Sequence, residues 1–238
     1  MSQGALPSQH IRNLITQGCI QNARIQNVQP ASLDLTISDE IYRVDSLFLP
    51  KVGERVRDAI QYVNPLAFDA RGVYEVGVPY LARLNEVFSL PKDVYAYINP
   101  KSSTGRNDVK VSIIADGISR FDSAGVPGFT GELWAFIEPK SYRVRIPVGE
   151  ALSQIRFFNG DTRLADKDIQ AFYETNKILY DKDGNVILYN ALKISDRDGG
   201  IILPVNLEGD HVGFVSYGSS SILDFSKRKF YAPLDFKR

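Results

Sequence analysis

A succession of short strand-like segments, separated by proline and glycine, runs through most of this sequence. Residues 32–37 alternate apolar and polar side chains, the pattern of a strand with one buried face. Further strands are predicted at 41–49, 73–78, 80–88, 94–98, 109–115, 132–138, 142–146 and 152–158. No regular alternation of strands with helices, typical of a parallel sheet, is present. Many short strands at this spacing predict a mainly β protein with a barrel or jelly-roll fold.

Two helical segments interrupt the strand pattern. Residues 8–17 predict a short helix, which Ser8 can cap and Gly18 can end. A second helix is predicted near 166–178, within a polar stretch that follows the main set of strands. The apolar face of the first helix is formed by Ile11, Leu14 and Ile15, and that of the second by Ile169, Phe172 and Tyr173.

The polar stretch divides the chain into three parts. We expect a β-barrel domain over residues 1–160, a helical and polar linker over 161–185 and a partial second β unit over 186–238. A β unit of that size is too small to close a barrel by itself, so it is expected to pair with the first unit or with another chain. Its predicted strands are 186–192, 201–207, 211–217 and 221–225.

The charge balance limits the classes of partner. The chain carries 28 basic and 28 acidic residues, which argues against a general nucleic-acid or anionic-membrane surface. No apolar run approaches the roughly 20 residues of a membrane span, and residues 1–10 lack a secretory-signal pattern. We therefore expect a cytoplasmic protein, and a small anionic ligand held by a local cluster of donors stays compatible with the composition.

The residues that bind zinc in proteins are scarce. The zinc deaminases of nucleobases use a histidine or cysteine, a nearby glutamate and a Pro-Cys-x-x-Cys pair. This chain has only Cys19, His10 and His211, far apart in sequence. No zinc site is expected, so any deamination here requires a water activated without zinc.

The segment from Pro100 to Arg106 carries the densest group of hydrogen-bond donors. It reads Pro-Lys-Ser-Ser-Thr-Gly-Arg and lies between two predicted strands. Its donors are Lys101, Ser102, Ser103 and Arg106, and such groups satisfy phosphate oxygens. The alternative is a polar turn without a ligand, since serine and glycine are common in turns.

A second segment, residues 120–134, is a loop with three glycines that leads into a predicted strand. Its Asp122 can hold a sugar hydroxyl or a water molecule. The alternative role of Asp122 is to cap the turn in which it lies.

Five short motifs follow one another between residues 29 and 158. They are Gln-Pro-Ala-Ser-Leu-Asp-Leu at 29–35, Glu-Val-Phe-Ser-Leu-Pro at 86–91, Pro-Lys-Ser-Ser at 100–103, the loop and strand at 120–134, and the strand at 149–155 with Gln154. In order and spacing they resemble the core shared by dUTPases and dCTP deaminases. The resemblance implies a dUTPase-like distorted jelly-roll β-barrel with a few short helices.

Arg106 favours the deaminase branch of this family. The turn at 102–106 has the pattern Ser-Ser-x-x-Arg, which resembles that of the deaminases. The equivalent turn of dUTPases resembles Pro-Arg-Ser-Ser-Gly-Leu-Ala. In its length and its second β unit, the chain resembles a subgroup of deaminases built from two related halves. The second half of this chain is shorter than the first. That half carries Gly-Ser-Ser-Ser at 218–221 without a matching arginine, so no second site is expected.

The resemblance implies hydrolytic deamination of dCTP to dUTP and ammonia, in which a strand glutamate takes a proton from the water that attacks C4 of cytosine. It implies dCTP, dUTP or dTTP as ligand, Mg2+ carried on the triphosphate, and sites between the subunits of a trimer. The implied nucleotide-binding residues are Lys101, Ser102, Ser103, Arg106, Asp122 and Gln154, and Arg106 also helps to place the catalytic water.

The position of the family's glutamate is occupied by Phe136, which cannot transfer a proton. Glu138 points to the same face of a regular strand, but two residues span roughly 6.6–7 Å. A general base acts within about 3 Å of its proton or through one water, so Glu138 can replace the glutamate only if the strand shifts. Its alternative role is that of a polar residue at a strand end.

Four hypotheses remain from the sequence. The chain is a working dCTP deaminase that uses Glu138 or a base from the second unit, or a nucleotide-binding relative that has lost the chemistry. The third hypothesis is a dUTP diphosphatase-like enzyme in which Asp122 activates water, and Arg106 weighs against it. The fourth is a β-barrel assembly protein without a ligand.

Overall fold

The computed structural model of the chain describes residues 4–125, 127–160, 162, 166–195, 200–204 and 222–230. The strands are β1 (Gly4–Ala5), β2 (Ile20–Gln21), β3 (Leu33–Arg43), β4 (Leu66–Ala67), β5 (Tyr80–Ser89), β6 (Val94–Pro100), β7 (Val109–Ala115), β8 (Ser123–Ala124), β9 (Thr130–Pro139), β10 (Val144–Arg145), β11 (Ala151–Asn159) and β12 (Leu223–Asp224). The α-helices are α1 (Ser8–Thr16), α2 (Val56–Ala59), α3 (Ser102–Arg106) and α4 (Asp166–Asn176). Short 3₁₀ segments lie at Ile25–Asn27, Ile60–Val63, Tyr189–Ala191 and Phe225–Phe230.

One antiparallel sheet forms a nearly closed barrel. Its strands follow the order β7-β9-β5-β3-β11-β6-β8, with β1, β2 and β4 added at the sides. The loop at Asp122 joins the two ends of this order, because its carbonyl accepts from Ile98 of β6 at 3.0 Å and its N–H donates to Ile113 of β7 at 2.7 Å. The predicted mainly β barrel is therefore confirmed.

Strand β9 is buried on both of its faces. Leu133, Ala135 and Ile137 point into the main core of the barrel. The alternate side chains, Trp134 and Phe136, belong to a separate apolar cluster on the other side of the sheet. We call it the outer cluster; its remaining buried members are Val44, Val56, Ile60, Val63, Leu81 and Ile114. The segment that contains α2 thus covers a sheet face that alternation alone would leave in solvent.

A buried carboxylate fastens β3 to β5. Glu86 is 0% exposed and accepts from the Thr36 N–H at 3.0 Å and from the Thr36 hydroxyl at 2.8 Å. Burial raises the pKa of Glu86, although the bonds from Thr36 act in the opposite direction. The contact lies beside an irregularity in β3–β5 pairing between Ile37 and Ile41, where ladder bonds are interrupted.

Helix α1 confirms the predicted N-terminal helix but not its predicted cap. The N-cap residue is Pro7, no side chain caps the helix, and Ser8 is its first residue. At the other end Gly18 has φ of +75°, and the N–H of Cys19 donates to the Leu14 carbonyl. These features form the glycine-dependent helix ending that the sequence predicts.

Several predicted strands are shorter than expected. β3 ends at Arg43, so residues 44–49 are not a strand, and residues 73–78 contribute only one bridge, from Tyr74 to Val144. Gly77 and Pro79 limit pairing there. None of the helices within the described residues has the length and apolar character needed to cross a membrane.

The described residues divide into two compact units. The first takes residues up to 161 together with 222–230, and the second takes those from 162 to 204. In the first, β12 pairs in parallel with β10, as Val144 opposite Leu223. The last strand predicted for the second β unit therefore belongs to the first unit.

The second unit is built around α4, close to its predicted position. Tyr173 is buried and its hydroxyl donates to the Ile187 carbonyl at 2.6 Å, whereas Phe172 stays 49% exposed. Residues 186–192 form a bridge at Val186 and a 3₁₀ turn in place of the predicted strand. Residues 205–207, the strand at 211–217 and the Gly-Ser-Ser-Ser at 218–221 lie outside the described residues. The division into barrel, linker and partial second unit stays a prediction.

Candidate functional site

The donor-rich segment after β6 forms a helix of one turn, not the open turn that serine and glycine suggested. Helix α3 begins after Lys101, which is its N-cap residue. Two bonds fix it to β11, because the Lys101 N–H donates to the Leu152 carbonyl at 2.9 Å and the Thr104 hydroxyl donates to the same carbonyl at 3.0 Å. Thr104 is fully buried. The hydroxyls of Ser102 and Ser103 are therefore held beside β11.

An open cleft of about 470 Å³ lies next to α3. Its lining is Gln29, Pro30, Ala31, Ser32, Asp34, Lys101, Ser102, Ser103, Gln154 and Arg156. We call it the α3 cleft. Three of the five sequence motifs, which stand far apart in the chain, meet there because β11 pairs with both β3 and β6. Lys101, Ser102, Ser103 and Gln154, all predicted to bind nucleotide, are brought together in it.

The charged and polar groups of the α3 cleft are only partly paired. The Lys101 ammonium forms an ion pair with the Asp34 carboxylate, and the Ser32 hydroxyl donates to Gln154 Oε1 at 3.3 Å. Ser103 Oγ is buried and has no hydrogen-bond partner. Buried polar atoms are rarely left unpaired, so an unpaired hydroxyl in a cleft is a candidate contact for a ligand oxygen.

Arg106 ends α3 and is exposed. It is not among the residues that line the α3 cleft, although Ser102 and Ser103 of the same helix are. Its predicted roles in binding nucleotide and in placing the catalytic water stay predictions.

Asp122 lies at the closure of the barrel and not in the α3 cleft. Its φ is +57°, and its carboxylate accepts from the Ile113 N–H at 2.7 Å. Burial raises the pKa of Asp122, against the effect of that bond and of Lys110. This geometry matches the turn-capping alternative, and the predicted contact with a sugar hydroxyl or water stays a prediction.

Phe136 is part of the outer cluster and is 3% exposed. Its ring makes edge contacts with Phe48 and Phe121, at centroid distances of 5.5 and 6.3 Å. On β9 it lies opposite Leu81 on one side and Ser112 on the other. The position at which the resemblance implies a glutamate is therefore filled by core packing.

Glu138 lies two residues further along β9, opposite Lys110 of β7. Its carboxylate forms an ion pair with Lys140. It borders a recess of about 10 Å³ that Phe136 and Ser112 also line, whereas the α3 cleft has none of these residues in its lining. The pairing of β9 with β7 is regular from Val109 to Ala115, so no strand shift moves Glu138 into position 136.

Sequence reasoning missed Asp34 and Arg156 as site residues. Asp34 is in the polar phase of the alternation at 32–37 and belongs to the motif at 29–35, but neither pattern was interpreted as placing it in a site. Arg156 is two residues after Gln154 and so projects from the same face of β11. Because residues two apart on a strand share a face, the predicted site residue Gln154 was the signal that could have identified Arg156.

Metal-binding side chains do not gather in the part of the chain that the structure describes, where no three histidine, cysteine or acidic residues come together. Asp34 is the acidic residue in the lining of the α3 cleft, and its carboxylate is held by Lys101.

Comparison with known proteins agrees with this architecture. The family described as 2'-deoxycytidine 5'-triphosphate deaminase (DCD) N-terminal domain matches residues 2–161. The crystal structure of 2'-deoxycytidine 5'-triphosphate deaminase from Agrobacterium tumefaciens is 30% identical in sequence, with a TM-score of 0.78 over 99% of this chain and 70% of that one. A search of curated proteins found no match. The predicted dUTPase-like fold is confirmed, and the chain belongs to the dCTP deaminase family, within the dCTP deaminase/dUTPase-like superfamily.

Proposed function

We propose that this chain binds dCTP through its triphosphate in the α3 cleft and does not use position 136 for deamination. The observation that carries the proposal is the contrast between a cleft that gathers Lys101, Ser102 and Ser103 and a β9 position filled by a buried phenylalanine. The proposed protein is a nucleotide-binding relative of the dCTP deaminases.

The α3 cleft supports phosphate binding by the nature of its donors. Ser102 is exposed at the start of α3, and Ser103 Oγ lacks a partner. Lys101 reaches the same space, where a phosphate would compete with Asp34 for its ammonium group. Hydrogen bonds with one charged partner are roughly twice as strong as neutral ones, so a few such donors suffice for a small anion.

The outer cluster argues against proton transfer at position 136. Deamination requires a group that takes a proton from water and passes it to the leaving amine. Phe136 has no such group, and the rings of Phe48 and Phe121 pack against it. The recess beside Phe136 has a volume of only about 10 Å³, about the least space that a single water molecule occupies.

A second candidate function is deamination with Glu138 as the base. Glu138 borders the same small recess as Phe136 and Ser112, and this observation favours it over Glu132, the other carboxylate of β9. Against it stand the ion pair with Lys140 and the regular pairing of β9 with β7. The diphosphatase-like alternative has weaker support, because the Asp122 carboxylate bonds to the backbone of Ile113.

The proposal also includes a Mg2+ ion bound with the triphosphate and an assembly of several copies of the chain. Asp34 offers carboxylate oxygens of the kind that Mg2+ prefers, so a Mg2+ bound to the triphosphate fits the α3 cleft with Asp34 beside it. When bound, the ion would neutralise part of the phosphate charge. We also propose that copies of the chain assemble as in the trimers of the family, with dUTP and dTTP as further ligands.

The test measures binding and turnover in one preparation. Purified protein is mixed with dCTP and Mg2+, ammonia and dUTP are followed, and the melting temperature is recorded beside them. We expect stabilisation, about 2.7 kcal/mol at a dCTP concentration of 100 Kd, without turnover. Deoxycytidine, which lacks phosphates, is the matched ligand control and should stabilise far less.

Each other outcome has a distinct meaning. Turnover that disappears in Glu138→Gln but persists in Glu75→Gln, an exposed glutamate far along the chain, would establish the second candidate. Absence of both stabilisation and turnover would refute nucleotide binding and leave the barrel without a ligand.

A further inference from the structure

The charge of the α3 cleft is concentrated on one residue. Its lining has three ionised side chains: Asp34, Lys101 and Arg156. Asp34 and Lys101 form an ion pair, so their charges offset each other. Arg156 is exposed, and its guanidinium makes no hydrogen bond or ion pair with any described residue. The net positive charge of the cleft therefore comes from Arg156.

We propose that Arg156 is a further phosphate-binding residue of the α3 cleft, and this inference rests on the proposed binding of a nucleoside triphosphate there. The residue holds the triphosphate from the strand side, opposite the hydroxyls of α3. Its guanidinium can donate two parallel hydrogen bonds to one phosphate group, a geometry that an ammonium group cannot reproduce.

Strand β11 fixes the position of Arg156. Ser153, Ile155 and Phe157 are buried towards the barrel core, so Gln154 and Arg156 project from the opposite face. Ladder bonds hold β11 on both sides near this point, with Gln154 opposite Asp34 of β3 and Arg156 opposite Tyr97 of β6. The backbone is rigid there, and only the side chain must be ordered when a ligand binds.

The two cations of the cleft differ in what binding requires of them. Lys101 must weaken its contact with Asp34 before it can contact a phosphate, and this exchange reduces its net contribution. The guanidinium of Arg156 forms no ion pair with a described carboxylate, so it has no such contact to break before it binds a phosphate. We therefore expect Arg156 to contribute more to phosphate affinity than Lys101 does, although Arg156 lies outside the Lys-Ser-Ser motif.

The experiment compares three proteins with two ligands. The dissociation constants of dCTP and of inorganic tripolyphosphate are measured by calorimetry for the natural chain, Arg156→Gln and Arg43→Gln. Arg43 is an exposed strand arginine outside the cleft lining and is the matched control. Arg156→Gln is expected to weaken both ligands by about tenfold or more, since hydrogen bonds with charged groups contribute at least that much. Arg43→Gln should leave both constants unchanged.

The outcomes separate this inference from the proposed function. If the natural chain binds dCTP and Arg156→Gln binds it equally well, the role of Arg156 is refuted and nucleotide binding stands. If the natural chain binds neither ligand, the proposed function fails and the inference fails with it. Arg156→Lys sharpens a positive result, because retained charge with partial loss of affinity indicates bidentate contact. Melting curves of the variants verify folding, and an exposed substitution should shift stability by about 0.5 kcal/mol or less.

Discussion

The α3 cleft and the outer cluster lie on the same barrel, yet they differ in nearly every physical property. The α3 cleft has a volume of about 470 Å³ and is lined by hydroxyl, amide and charged groups. The recess beside Phe136 has a volume of about 10 Å³, and Leu47, Pro79 and Ile137 share its lining. One region is open to a ligand and the other is filled by side chains.

The difference shows that binding and chemistry can separate within one fold. Ser102 and Arg156 of the α3 cleft lie at the surface, where a hydroxyl and a cation can be kept without supporting the core. Position 136 is integrated into the apolar packing around Trp134, so its identity affects stability as well as chemistry. A glutamate there needs a solvated pocket, and α2 with its flanking segment leaves no room for one.

The largest expected effect is that of Phe136→Glu. The substitution removes ring contacts with Phe48 and Phe121 and places a carboxyl group among apolar side chains. We expect a loss of about 3–5 kcal/mol in the free energy of unfolding, as for other losses of a buried aromatic ring. Urea unfolding followed by fluorescence of Trp134, the single tryptophan, measures it.

Phe136→Met is the control for this substitution. It keeps an apolar side chain of similar reach and should cost less than about 1.5 kcal/mol. If Phe136→Glu were as stable as the natural chain, the outer cluster would have to admit water, and the contrast with the α3 cleft would disappear. Restored deamination in that variant would show that only the carboxylate was missing.

Much of this comparison was predictable from the sequence, and the reasons for the misses are physical. Strand periodicity gave β5, β6, β7, β9 and β11 to within two residues at either end, and the motifs gave four residues of the α3 cleft. The burial of Phe136 was not predictable, because it depends on residues 44–63, which fold back over β9 and do not form the strand predicted up to residue 49. Likewise, no local signal shows that Asp122 would close the barrel, since its partners Ile98 and Ile113 are set by tertiary contacts.

The second expected effect concerns Glu86, which holds β3 just beyond the α3 cleft. In Glu86→Leu the N–H and the hydroxyl of Thr36 lose their acceptor inside the core. We expect a loss of about 1–3 kcal/mol in the free energy of unfolding, the typical cost of buried donors without partners. Weaker dCTP binding should accompany it, because Asp34 is only two residues from Thr36. Unchanged affinity would show that the cleft does not depend on this contact.

Glu86→Gln tests the same group through pH. Because burial raises the pKa of Glu86, the folded state holds its proton more tightly than the unfolded state. The stability from this group is fully present below its ordinary pKa of 4.5 and decreases as pH rises through the higher folded value. The natural chain should therefore lose stability relative to Glu86→Gln across that range. A difference that stays constant with pH would contradict a raised pKa.

A smaller effect is expected for Lys101→Met, measured as dCTP affinity. Loss of the ammonium group should weaken binding by about tenfold, or about 1.4 kcal/mol, because one charged contact with phosphate is removed. Lys51→Met, an exposed lysine outside the cleft, is the matched control. In the absence of Mg2+, Asp34→Asn should instead strengthen dCTP binding, because it frees the ammonium group of Lys101 from its ion pair. If both substitutions left the affinity unchanged, the triphosphate would bind elsewhere.

The smallest effect on stability is expected from a group of charged residues beside the outer cluster, Glu40, Arg57 and Arg83, which we call the rim. Glu40 accepts from Arg57 at 2.6 Å and from Arg83 at 2.9 Å, and Arg57 lies over the ring of Trp134 at 5.3 Å. Burial alone would raise the pKa of Glu40, but the hydrogen bonds from these arginines outweigh it and lower the pKa. Solvent screens the pair, so Glu40→Gln should cost about 0.5–1 kcal/mol at neutral pH.

The pH dependence gives this last prediction its sign. A lowered folded pKa means that the stabilisation is present above the ordinary value of 4.5 and is lost as pH falls through the folded value. Melting curves of the natural chain and of Glu40→Gln should therefore converge as pH falls below 4.5 through the lower folded value, and also at 1 M salt, which screens exposed charges. Asp69→Asn, which breaks the fully exposed contact with Arg71, is the control and should change stability less. If the Glu40 difference persisted in acid and in salt, the rim would stabilise the outer cluster through packing of the Arg57 side chain over Trp134 and not through its charge.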